Sequence, residues 1–109
     1  KSKINQAKIK IKQTENNKNQ AIRGINFELN QAINSYEEAN KTLQLQKQNK
    51  ELAKAIYQTT STKFKEGVGS SFEAVSADND FTQAKINYLN ALYELNIAHI
   101  NLQKAYGIL

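Results

Sequence analysis

The chain has 109 residues, of which 39% are hydrophobic, with a net charge of +5 and neither proline nor cysteine. That length allows one domain or a part of a larger one, and the absence of cysteine excludes disulfides and thiolate metal sites. No stretch approaches the roughly 18 apolar residues a membrane-crossing helix needs, and the basic amino end lacks the apolar core of a signal peptide.

Residues 1–66 carry a net +7 and residues 67–109 a net −2. The lysines at the amino end, Lys1, Lys3, Lys8, Lys10, Lys12 and Lys18, have no aromatic residue beside them. Nucleic-acid modules interleave basic residues with aromatics or a recognition motif, so this cluster reads as a solvated helix face, with no nucleic acid expected.

The first element predicted is a helix over about 3–66. Without proline nothing breaks its interior. One column at seven-residue intervals reads Ile22, Leu29, Tyr36, Leu43, Lys50, Tyr57, Phe64, and a second reads Ile25, Ala32, Ala39, Gln46, Ala53, Thr60. Columns three and four residues apart form one seam, as in helices that supercoil around a partner. Lys50, Gln46 and Thr60 are polar positions on that seam and weaken its closure.

A turn follows over 67–70. Gly67 comes directly after the periodic residues and suits the left-handed conformation that ends a helix. Beyond it, "SSFE" offers Ser70 as an N-cap and Glu73 three residues later, the pattern of a reciprocal capping box. A stop, a short link and a start predict an antiparallel hairpin.

The second helix is predicted over about 71–106. Its seam column reads Phe81, Tyr88, Leu95, Leu102, Leu109, and a second stripe, Ile86, Leu89, Tyr93, Ile97, Ile100, is offset around the helix. Together they make an apolar arc wider than one partner covers. The fold class is therefore all-α, a long coiled-coil-like hairpin. Its arms are unequal, roughly 95 Å against roughly 54 Å at the helical rise, which leaves about 40 Å of the first arm without a partner in the hairpin. Gly24 and Gly107, 43 residues before and 40 after Gly67, fall at nearly the same height. A hairpin of this shape reads as a piece of a longer assembly.

Catalytic chemistry is not visible. His99, the single histidine, is placed on the seam between Leu95 and Leu102 as a packing residue. Glu37–Glu38 and Asp78/Asp80 diverge around a helix and make no acid–base pair. The "EGVGS" glycines follow a helix and lack the Gly-Lys-Ser/Thr ending of a phosphate loop. The hydroxyls of "TTSTK" over 59–63 have no base beside them. No enzyme, cofactor or metal site is expected.

The turn and second arm carry a pattern of their own: an aromatic, two residues and a glycine in Phe64-Lys65-Glu66-Gly67, a short polar link, then "SFEAVSADNDFTQAKINYLNALYELNIAHINLQKAYG". This resembles the carboxy-terminal helical repeat of the TolC-family outer-membrane efflux factors, closely over residues 57–109 and more loosely over 1–56. The resemblance implies a homotrimeric channel whose outer-membrane β-barrel continues into a periplasmic α-barrel, of which this chain would be one hairpin. Contact with the membrane would fall to parts outside the chain. The hairpin tip would meet a periplasmic adaptor protein that joins the channel to an inner-membrane pump. By the same resemblance Phe64, Gly67, Val68, Gly69, Ser70 and Ser71 form the docking tip. Glu73 stands at an acidic position lining the entrance; a second acidic position reads Ser76 here, and a basic tip position of some members reads Gly69. Asp78 and Asp80 compensate if they face the lumen. The 14 Asn and 10 Gln suit a hydrated lining and are equally compatible with plain exposure. Two other functions fit a basic helical hairpin: a periplasmic adaptor's own coiled coil, whose arms should be of similar length, or a coiled-coil arm binding RNA or a protein.

Overall fold

The computed structural model describes residues 2–107, which form two helices, α1 (Ser2–Lys65) and α2 (Ser71–Gly107), joined by one turn. No strand occurs among the described residues. The two pack antiparallel into a rod with extents of 98 × 19 × 13 Å.

The seam on α1 is the one the periodicity predicts. Ile25, Leu29, Ala32, Tyr36, Ala39, Leu43, Gln46, Lys50, Ala53, Tyr57 and Thr60 are all partly shielded, and the residues between them are mostly exposed. Ile22 and Phe64, at the two ends of the column, remain exposed because α2 does not cover them. On α2 the seam differs from expectation. Phe81, Tyr88, Leu95 and Leu102 do face α1, but they are only half-buried. The buried residues are a second column, Ala77, Ala84, Ala91, Ala98 and Ala105. A methyl group lets two helix backbones approach closely, so this column lies where the arms are nearest. The offset stripe does not share the seam; Ile86, Tyr93 and Ile100 are exposed on the far side of α2, Leu89 is exposed at the edge of a groove beside Tyr88, and Ile97 is half-buried. Leu109, assigned to the seam column, and Lys1 lie outside the described residues.

Aromatic side chains fix the register. The Tyr57 and Phe81 ring centroids are 5.6 Å apart, Lys50 Nζ sits 4.3 Å from the Tyr88 ring centroid, and Tyr36 meets His99 at 6.0 Å. His99 itself is exposed and flanks the seam rather than occupying it. Its Nε2 lies 3.2 Å from Gln103 Nε2, so one turn of α2 and one ring of α1 hold the imidazole. Beyond the reach of α2, residues 2–24 of α1 are exposed throughout. Ile4, Ile9 and Ile11 there have no covering helix.

Candidate functional site

The tip is built by backbone geometry. Gly67 has φ of 79°, a left-handed conformation that a side chain disfavours. Its N–H donates to the Phe64 carbonyl at 3.0 Å, and the Val68 N–H donates to the Lys63 carbonyl at 3.0 Å. These two bonds make a Schellman motif, which satisfies the last carbonyls of α1. The Gly69 N–H adds a bond to Lys63 O at 3.2 Å, drawing the chain back onto the helix end. A Cβ at Gly69 would stand 3.2 Å from Lys63 Cβ and 3.3 Å from the Phe64 nitrogen. The position that is basic in some relatives by resemblance is thus sterically tight here, and Lys63 must shift to admit any side chain.

The start of α2 is capped by Ser70, whose hydroxyl accepts the Glu73 N–H at 3.1 Å. Among the described residues only this half of the expected capping box forms. Glu73 lines a groove between the arms, shared with Ile56, Thr60, Phe72, Ser76, Ala77 and Asp80. Three of the four residues assigned to an entrance lining, Glu73, Ser76 and Asp80, therefore lie together on the alanine side of the seam. Asp78 does not join them; it follows Ala77 toward the Phe81 side of the helix. Of the tip residues, Val68 is 75% exposed, and Phe72 just beyond it is 80% exposed. Phe72 lies two residues past the Ser70 cap, and an aromatic in the first turn of a helix, ahead of its seam column, is the sequence signal that marks it.

The hydroxyls near the tip are used locally. Thr60 Oγ1 donates to the Ile56 carbonyl at 2.7 Å and Thr62 Oγ1 to the Gln58 carbonyl at 2.9 Å. Each bonds back one turn along its own helix, which is a helix-surface role and not an activated nucleophile. Among the described residues no group of acidic, histidine or cysteine side chains is arranged to hold a metal ion, and no helix is long and apolar enough to cross a membrane.

Residues 1–108 match the model of a protein family described as outer membrane efflux protein. The chain belongs to the outer membrane efflux protein family. No curated protein and no solved structure matches it. Proteins of this family are trimeric efflux channels of the outer membrane that work with adaptors, and they are not enzymes. The family match extends the TolC-like resemblance from the second arm to α1 and puts the chain on the channel side of the channel–adaptor pair. An adaptor hairpin and an RNA-binding arm are thereby set aside. A rod of two helices fits the periplasmic portion of such a channel.

Proposed function

We propose that this hairpin is a stave in the periplasmic wall of a trimeric efflux tunnel, with its turn at the tunnel entrance. Apolar side chains without cover support that placement. On α2 they are Val75, Ile86, Tyr93 and Ile100, turned away from the seam, with Leu89 exposed at its edge. On α1 they are Leu45 and Leu52. A stave with apolar surface on both outer edges suits a wall in which it has a neighbour on each side.

The docking function rests on the tip. Phe64, Gly67, Val68, Gly69, Ser70 and Ser71 form a rigid end closed by the Schellman bonds and the Ser70 cap. From that end Val68 and Phe72 project into solvent, an apolar knob suited to the tip of a partner hairpin. The partner is the periplasmic adaptor, which connects the channel to the inner-membrane pump. Glu73, Ser76 and Asp80 line the entrance on the alanine face.

The test is a cross-link from Ser70→Cys in the full-length channel to cysteines at the adaptor's hairpin tips. Cross-linking in a working pump is the expected result; an active pump whose Ser70 position never contacts an adaptor removes the docking role.

A further inference from the structure

The ribbon of two helices has two faces, and their grooves differ in charge. On the alanine face the groove near the tip contains Glu73 and Asp80 and has no basic residue in its lining. On the aromatic face a groove is formed by Lys50, Lys54 and Lys85 with Glu51, Phe81, Tyr88 and Leu89. Two of these lysines lie on rings: Lys50 Nζ is 4.3 Å from the Tyr88 ring centroid, and Lys85 Nζ is 4.5 Å from that of Phe81. The one carboxylate, Glu51, is 3.8 Å from Lys50 Nζ. Among the described residues Lys54 and Lys85 have no acidic partner, so the groove keeps an excess of positive charge over an apolar floor.

We propose that the Lys50–Lys54–Lys85 groove is a docking surface, on the outside of the tunnel wall, for a partner helix that bears carboxylates on successive turns. Lys50 and Lys54 are one helical turn apart, and Lys85 faces them across the groove, so the positive charges are spread along its length. A third helix can seat its ridge between two packed helices, with its apolar side chains on Phe81, Tyr88 and Leu89. A small free anion is a poorer fit. The backbone N–H groups around the groove are taken up inside helices, and no buried polar side chain closes over a central point.

The outward orientation rests on the proposed function, which turns the acidic face to the lumen. Two measurements on the full-length assembled channel separate the ideas. The first labels Lys54→Cys and Asp80→Cys with a maleimide polymer too bulky to enter the tunnel. Reaction at Lys54→Cys with protection of Asp80→Cys is expected, and the reverse pattern removes both the orientation and this inference.

The second measures binding of a helical peptide with glutamates at i, i+4 and i+7 separated by leucines, against the same peptide with glutamines and against glutarate. The glutamate peptide should bind best and lose affinity as salt rises. In Lys54→Gln/Lys85→Gln its affinity should fall about tenfold or more. Correct labelling with no preference for the glutamate peptide, with no effect of the double substitution, or with glutarate binding as well as the peptide, overturns the docking surface while leaving the tunnel reading intact.

Discussion

Tyr57 of α1 and Phe81 of α2 meet across the hairpin with ring centroids 5.6 Å apart and planes tilted by 34°. This is the aromatic contact nearest the tip, and it flanks a seam whose buried residues, among those described, are all alanines. Tilted aromatic pairs contribute about 0.5–1.5 kcal/mol beyond their buried area. Substituting each with alanine, singly and together, should give a coupling energy of about 1 kcal/mol in a double-mutant cycle read by denaturant unfolding. Purely additive losses would mean that the two rings are neighbours without being partners.

The alanine column should resist enlargement. Ala91 is 5% exposed, and a leucine there forces the arms apart, at a cost of about 1–3 kcal/mol. Tyr93, two residues on, is 63% exposed on the far side. Tyr93→Ala should change the hairpin's own stability by less than about 0.5 kcal/mol. Thermal unfolding of the two variants side by side checks the contrast.

Two glycines should respond in opposite directions. Gly67 is left-handed, so Gly67→Ala strains the backbone by about 1–2 kcal/mol. Gly24 is helical and a Cβ there meets nothing within 4 Å. Gly24→Ala should therefore stabilise α1 by about 0.5–1 kcal/mol. Circular dichroism melts distinguish the pair, and Gly67→Asn should recover part of the loss because asparagine tolerates the left-handed region.

Lys50 occupies a seam position with its side chain 26% exposed. A polar residue in a helical seam specifies register and lowers stability. Lys50→Leu gives up a cation–π contact worth about 0.5–1 kcal/mol and adds apolar burial worth somewhat more. A net gain of about 1 kcal/mol is expected on unfolding. Spin labels placed on the two arms should at the same time report a broader spread of inter-arm distances, since leucine pairs equally well one layer up or down.

The all-helical hairpin was legible because its signals are local and redundant. Proline is absent, the columns of α1 repeat every seven residues, and Gly67 and Ser70 supply a stop and a start. The alanine column was missed for a physical reason. Hydrophobicity ranks Leu95 and Ile97 above Ala91 and Ala98, whereas burial in a two-helix seam is decided by how closely backbones approach. His99 was misplaced by the same bias, since it stands one residue past Ala98, the position that is buried. At the tip, spacing pointed to Ser70 and Gly67. It gave no hint that Glu73 would line a groove with Ile56 and Thr60 of α1, nor that Gly69 would press against Lys63, because both depend on how the chain folds back. Spacing alone separated Asp78 from Asp80; which of the two joins Glu73 and Ser76 followed only once the seam was fixed.

The five buried alanines of α2 reverse the usual relation between the size of a side chain and its tolerance of change. In most folds the bulky interior residues are the ones that drift least, and small ones are freely exchanged. Here a mutational scan should find the harshest penalties at these five buried methyl groups, while Phe72 or Ile86 vary widely as long as the surface laid against them varies in step. Any channel variant sought by random mutagenesis would then accumulate its changes on the outer ribs and almost never along the inner spine.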